Sequence, residues 1–392
     1  MAALDGMRVL DMTQYEAGTS CTQYLAWLGA DVVKVEPPTG DPGRQVRGQA
    51  VSQYFLNYNS NKRSVVIDLR NPEGRDVLLK MAPHYDVFVE NYGPGVIEKL
   101  NIGYDVMREV NPGIIYGRIK GFGLSGPYSN YKCYDWVAQA AAGSFSVTGF
   151  EDGPPMIVGP TIGDSGTGIQ MALAVTAAYS QKQRTGEGQM IELSMQEAVT
   201  MFMRTLGLAQ WGEAPQPRTG NRRGMPTAVY PCQGNGPNDH IFIMVVTSRM
   251  WDTLCAVIGK PELLDDARFA AGPDRLANGD ALWAEIAEWT RQYPKHECMR
   301  ILGEAGVPCS AVMDTLDLFT DPHLKERGLI QPIDHEEGGP RTVMGNPLRM
   351  SGSDVAVKAA PLLGRHTDEV LLGDLGIDAA GVAKLRACGA IA

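Results

Sequence analysis

The chain contains no Cys-x-x-Cys pair and no His-Glu-x-x-His. No apolar run is long enough to cross a bilayer. Its seven cysteines (Cys21, Cys133, Cys232, Cys255, Cys298, Cys309, Cys388) are scattered and odd in number, so they do not form a disulfide framework. Reduced thiols, and hence a cytoplasmic protein, are expected. Histidines number only six (His84, His240, His296, His323, His335, His366), none in paired-ligand spacing, and no metal is expected. The longest apolar stretch, around Met171 to Tyr179, falls well short of the roughly 20 residues of a membrane helix. The start, Met-Ala-Ala-Leu-Asp-Gly-Met-Arg-Val, lacks the basic-then-apolar order of a signal peptide. Positive charge is also scarce: 35 Lys and Arg stand against 45 Asp and Glu, a net charge of −10. That excess argues against a nucleic-acid partner or an anionic membrane surface, while leaving room for a local basic pocket. There is no internal repeat and no low-complexity tract.

What remains is an ordinary globular composition, 44% hydrophobic and 20% charged, in a chain of 392 residues, long enough for two domains. Strand and helix signals alternate through the first half. Met7–Met12 reads as a buried strand. Thr19 or Ser20 is expected to cap a helix running to Leu28, and Val32–Val35 is the next strand. Ser64–Leu69 is another, followed by Asn71-Pro72 in cap-then-proline order. Val87–Glu90 and Ile114–Ile119 follow, then helices from about Asp135 and from Ser165 to Gln183, and a strand at Met190–Met195. This alternation implies an α/β fold with a parallel, Rossmann-like sheet. The expected division is a large domain at 1–200, a linker at 201–230 and a small α+β domain at 231–330. A second linker at 331–347 and a return to the large domain at 348–392 complete it.

Several motifs resemble sites without the surroundings a site needs. Glu36 ends the second strand, where dinucleotide folds place a ribose-binding acid, but the preceding turn reads Thr13-Gln-Tyr-Glu-Ala-Gly-Thr19 and lacks the phosphate-binding glycines. Gly121-Phe-Gly-Leu-Ser-Gly126 matches G-x-G-x-x-G, yet Pro127, Tyr128 and Ser129 continue it as a loop, without a helix dipole to hold phosphate. Gly-Asp-Ser-Gly also occurs around serine-protease nucleophiles, but no histidine has the setting of a triad. Arg222-Arg223, between Gly220 and Gly224, reads either as a solvated pair or as a mobile anion-binding loop.

Gly163-Asp-Ser-Gly-Thr-Gly168 is the segment with most chemical content. Asp164 falls where a Pro/Gly-rich, strand-like stretch turns into a long helix. One reading is a helix cap accepting backbone N–H bonds. The other is an exposed nucleophile, flanked by glycines that let a substrate approach closely.

Taken in order, the motifs resemble the class III CoA-transferases, the formyl-CoA transferase and carnitine-CoA transferase family. The resemblance spans nearly the whole chain. It runs through Gly6-Met-Arg-Val-Leu-Asp11, Ala17-Gly18, Leu28-Gly-Ala-Asp-Val-Val-Lys-Val-Glu36 and Asn59-Ser-Asn-Lys-Arg-Ser64. It continues through Val89-Glu-Asn-Tyr-Gly-Pro-Gly95, Gly153-Pro-Pro155, Gly163-Asp-Ser165, Thr185-Gly-Glu-Gly-Gln189 and Leu363-Gly-Arg-His-Thr-Asp368. It implies that Asp164 is the nucleophile, forming first an aspartyl anhydride and then an aspartyl-CoA thioester. CoA then passes from an acyl-CoA donor to a small carboxylic acid. Coenzyme A enters as substrate, with no tightly bound cofactor. Positions matching the family's CoA site are Ile67, Arg70, Asn91, Tyr92, Gly93, Lys99 and Leu100, with Lys132 and Tyr134 nearer the reaction. The family's interlocked, ring-shaped subunits imply a homodimer.

The departures concern the substrate. Gln14 stands where formyl-CoA transferase has a histidine, Glu16 where it has a glutamine, and Pro37 where it has a CoA-binding arginine. Its glycine-run loop corresponds to Gly220-Asn-Arg-Arg-Gly224 here. Gln14, Glu16, Arg222 and Arg223 are therefore the candidate substrate residues, and the arginine pair points to a dicarboxylate. Two alternatives stand beside this reading. An α-methylacyl-CoA racemase-like isomerase needs an acid and a base across the α-carbon, and Tyr134 occupies the place of that branch's histidine. A catalytically silent CoA-binding protein would need the pocket but not Asp164.

Overall fold

The computed structural model describes residues 1–49, 51–205 and 212–392. Residues 206–211 of the expected first linker lie outside the described residues. The chain forms two compact units, the first from Met1–Phe145, Ile157–Gln216 and Glu326–Ala392, the second from Ser146–Met156 and Pro217–Lys325.

The first unit is built on six strands: β1 (Arg8–Met12), β2 (Asp31–Glu36), β3 (Arg63–Val66), β4 (Val87–Glu90), β5 (Ile115–Lys120) and β6 (Met190–Ser194). Their order is β3-β2-β1-β4-β5-β6, and every pairing is parallel. Parallel strands require crossovers, which helices supply here. These are α1 (Ala17–Trp27), α2 (Gln53–Asn59), α3 (Pro72–Met81), α4 (Val96–Leu100), α5 (Tyr104–Val110), α6 (Asp135–Ala141), α7 (Ser165–Thr185) and α8 (Met195–Thr200).

The period-2 alternation of strands sends neighbouring side chains to opposite faces. Leu10, Val33, Phe88 and Tyr116 enter one core with Val77 and Leu78 of α3. Val9, Val32, Val87 and Val89 enter the other with Leu25 of α1 and Met171 and Val175 of α7. Burial on both faces explains why these strands read as continuous apolar runs. The far end of the chain returns to this unit. His366 N–H donates to Ser64 O, Val66 N–H to the Thr367 hydroxyl, and Ile67 bridges Ile391 beside β3.

Three local expectations need revision. The helix expected to begin at Thr19 or Ser20 starts at Ala17. Thr19 lies inside it, its hydroxyl donating to the carbonyls of Tyr15 and Glu16. The segment 157–162 is loop, not strand. Residues 331–347, expected as a linker, contain an antiparallel hairpin, β10 (Ile330–His335) paired with β11 (Gly339–Met344). Ile333 and Val343 of this hairpin pack with Phe55 and Leu56 of α2.

The second unit carries a three-stranded antiparallel sheet in the order β7-β8-β9: β7 (Ala228–Pro231), β8 (His240–Ile243) and β9 (Cys309–Ala311). It packs with α9 (Ser248–Val257), α10 (Gly272–Ala277), α11 (Gly279–Thr290) and α12 (Lys295–Glu304). Tyr230, Ile241, Leu254, Ile286 and Leu302 form its core.

Candidate active site

An open parallel sheet binds ligands beyond the carboxyl ends of its strands, where the strand order reverses. Here that point lies between β1 and β4. The loops leaving them are tied together: Gln14 N–H donates to Asn91 Oδ1 at 2.8 Å, and Asn91 Nδ2 returns a bond to Gln14 O at 2.9 Å. Below them is an ionic floor. Lys62 Nζ donates to Asp11 Oδ2 at 2.9 Å, and Lys34 Nζ donates to Thr13 O and pairs with Asp41, both at 2.8 Å. Burial opposes the charge on Asp11, yet Lys34 and Lys62 hold its carboxyl down to about 2. Removing one partner of such a buried set costs about 3–5 kcal/mol, because the other charge is left alone.

Above this floor lies a cavity of about 260 Å³ lined by Gln14, Glu16, Asn91, Tyr92, Gly93, Lys132, Tyr134 and Asp164, among others. A second, of about 320 Å³, is lined by Ile67, Arg70, Leu100, Pro37 and Glu36. The two share Gln14, Tyr92 and Val96 as a wall. A third recess joins Arg70, Arg75, Lys99 and Leu100. The first unit thus brings together Asp164 and all nine candidate CoA-binding residues along one connected surface. Arg70 and Lys99 lie on its basic rim. Glu36 is fully engaged, by Arg44 through two bonds of 2.7 Å and by the Ser64 hydroxyl at 2.6 Å, and is not free to hold a ribose.

Asp164 stands at the N-cap position of α7, but its side chain caps nothing. Its backbone N–H donates to Asp135 Oδ1 at 2.9 Å. Burial, then the like charges of Glu16 and Asp135, push its carboxyl up to about 8. Two parts of the sequence expectation change. The side chain is half-buried rather than exposed. The glycines serve packing: a Cβ on Gly163 would lie 2.6 Å from Asp135 O, and one on Gly168 would lie 2.5 Å from Ala17 O. Gly163 seats the Asp164 turn on α6, and Gly168 lets α7 close on α1.

Glu16 is buried and accepts from the Ser165 hydroxyl at 2.7 Å and from the Thr161 hydroxyl. Tyr54 and Tyr58 of α2 face the same carboxylates. Burial and the nearby Glu16 hold both phenols above their ordinary value, with Asp164 contributing at Tyr54. Sequence reasoning missed Asp135, Tyr54, Tyr58, Thr161 and Ser165 as members of the site. Only Ser165, adjacent to Asp164, carried a local signal.

Arg222 and Arg223 belong to the second unit. Arg222 pairs with Asp280 and lies 5.4 Å from the Trp283 ring centroid. The Arg223 backbone N–H donates to Thr227 O at 3.0 Å. Among the described residues, no cluster of His, Cys, Asp and Glu is placed to hold a metal ion. No helix is long and apolar enough to cross a membrane among them either.

Residues 4–367 match the profile of CoA-transferase family III. The formyl-CoA:oxalate CoA-transferase of Streptomyces avermitilis is 40% identical over 408 aligned positions covering 99% of both chains. A protein of the same name from Rhodopseudomonas palustris is 39% identical over 100% of this chain and 97% of its own. The solved structure of a CaiB/BaiF family protein from Brucella suis superposes with a TM-score of 0.83 at 30% identity, covering 95% of this chain and 99% of its own. The chain belongs to CoA-transferase family III and is a class III CoA-transferase.

Proposed function

We propose that the protein transfers CoA from an acyl-CoA to a small dicarboxylic acid through covalent intermediates on Asp164. The observation that carries this reading is the Asp164 carboxylate itself. It makes no capping bond and lines a cavity continuous with the candidate CoA surface. A carboxylate oxygen of Asp164 attacks the thioester carbonyl carbon, the C–S bond breaks, and CoA leaves as a thiolate with the electron pair. The thiolate attacks the aspartyl carbonyl of the resulting anhydride and releases the donor acid. The acceptor carboxylate then reverses both steps. Splitting one difficult exchange into several such steps is the advantage of covalent catalysis. CoA lies along Ile67, Arg70, Asn91, Tyr92, Gly93, Lys99 and Leu100 in this reading, and Lys132 and Tyr134 reach toward the acyl group.

The curated relatives are named for oxalate, a dicarboxylate, which supports a diacid substrate here. No histidine lines the Asp164 cavity, which disfavours the racemase alternative. Exposed apolar side chains of the first unit support a homodimer. Ile169 and Leu173 lie one turn apart on α7, and Trp136 and Phe202 are more than half exposed. The deciding experiment is Asp164→Ala. Its fold and CoA affinity should persist while transfer falls by several orders of magnitude. With acyl-CoA present, hydroxylamine should attack the activated Asp164 carbonyl, expel the donor acid or CoA and leave a hydroxamate on the wild type, and none on the variant. Turnover near wild type in the variant refutes the mechanism.

A further inference from the structure

Glu16 is a carboxylate 3% exposed to solvent, yet no lysine of the floor neutralises it. Lys34 pairs with Asp41, Lys62 with Asp11, and Lys120 with Glu90. Its bonds instead come from hydroxyls. Thr161 and Ser165 both donate to Oε1, and the Tyr58 phenol lies against the same carboxylate. Thr161 and Ser165 bracket the nucleophile, three residues before it and one after. The bonds that fix Glu16 therefore also fix its position relative to Asp164.

We propose that Glu16 is a positioning residue of the transfer reaction: held by the residues on either side of Asp164, its buried negative charge repels that carboxylate and so raises its nucleophilicity. This rests on the reading of Asp164 as the nucleophile. An ordinary carboxylate is a weak base and a weak nucleophile. Crowding it against a second carboxylate makes its electron pair more basic and more reactive, at the cost of a smaller ionised fraction at low pH. The repulsion vanishes when Asp164 becomes an acyl anhydride, because the negative charge leaves with the CoA thiolate. Glu16 thus destabilises the free nucleophile more than the acylated one. A proton carried by Asp164 at lower pH is lost to solvent through the cavity before attack.

The groups facing Asp164 are Glu16 from the start of α1, Asp135 from α6, Tyr54 from α2, and Cys133 from the loop before α6. Asp135 is committed elsewhere: one oxygen accepts the Asp164 N–H at 2.9 Å and the other accepts Gln139 Nε2 at 2.7 Å. Lys132 is the cation of the same cavity wall whose amine can meet an incoming anion.

The test is single-turnover release of succinate from succinyl-CoA, used as a probe, across pH 5 to 9.5. In the wild type the rate should rise with pH on a limb near about 8, since Asp164 reacts only when ionised. Glu16→Gln keeps the shape and removes the charge. Its limb should move to lower pH by about one unit or more, and its high-pH plateau should fall about ten-fold. Ser165→Ala removes one donor from Glu16, so the charge is held less firmly, and its limb should move the same way by less. This second variant covers the case in which Glu16→Gln fails to fold. A merely structural role would lower the plateau and leave the limb in place. Unmoved limbs in the folded variants, with Asp164→Ala inactive, overturn the role of Glu16 alone. Transfer by Asp164→Ala overturns the nucleophile and this proposal together.

Discussion

Replacing Gly163 by alanine tests whether the site depends on the seat of the Asp164 turn. The new Cβ would lie 2.6 Å from Asp135 O, 2.8 Å from Asp135 Oδ1 and 3.1 Å from Asp135 Cα. The first of these is backbone at the start of α6 and cannot swing aside. To reach even 3.0 Å from that oxygen the turn must retreat by about 0.4 Å, and further to reach ordinary contact. The same movement stretches the 2.9 Å bond from Asp164 N–H to Asp135. Overpacking of this kind costs about 1–3 kcal/mol of stability. Misplacing a reacting group by approaching 1 Å lowers turnover about 100-fold. The expected result is a folded protein with near-normal CoA affinity and kcat reduced by about two orders of magnitude. Gly166→Ala is the control. Its Cβ would meet the edge of the Phe202 ring at 2.9 Å, a side chain and not backbone. That variant should keep kcat within a few-fold of wild type. Calorimetric CoA binding and steady-state transfer measure both. Equal losses in the two variants, or an active Gly163→Ala, refute the argument.

Substrate and assembly give further tests. A second carboxylate on the substrate is expected to meet Lys132, so Lys132→Ala should lower kcat/KM about 10-fold or more for a diacid and much less for a monoacid of equal length. Arg222 already has Asp280 as a partner. Arg222→Ala and Arg223→Ala, measured with the same two acids, should show smaller differences; a larger selective loss there transfers the recognition to the arginine pair. Sedimentation of the wild type diluted to nanomolar concentration tests the proposed interlocked homodimer, which should show no reversible folded monomer, since subunits of that kind separate only by unfolding. A folded monomer in rapid exchange refutes that.

The parallel sheet was legible because β1 to β5 are buried on both faces and bounded by glycine and capping signals. Asn71 accepts from Glu73 N–H at 3.0 Å, as the Asn-Pro order implied. The hairpin at 330–344 was hidden by Pro332, Gly338 and Gly339, which mark turns in sequence but here flank or interrupt paired strands. The start of α1 was misread because Thr19 and Ser20 resemble caps. Glu16 occupies that place, and its carboxylate serves the site rather than the helix. The local pattern at Asp164 left cap and nucleophile open, and the family resemblance supplied the second reading. The groups around it carried no such pattern, because Asp135 and Tyr54 come from helices 29 and 110 positions away in the chain, and Tyr58 meets Glu16. No local periodicity encodes such a meeting.

The pairing of the chain's last turns with β3 has a consequence for synthesis. Ser64, Val66 and Ile67 emerge from the ribosome about 300 residues before His366, Thr367 and Ile391, their partners. At several residues per second, that edge waits tens of seconds for its cover. During this interval the nascent sheet presents unpaired backbone to other chains. The second unit, drawn mostly from one uninterrupted stretch, can meanwhile complete its own core. Vectorial translation therefore favours maturation of the later-encoded unit before the earlier one, and a pause near the 3′ end of the message would prolong the aggregation-prone state.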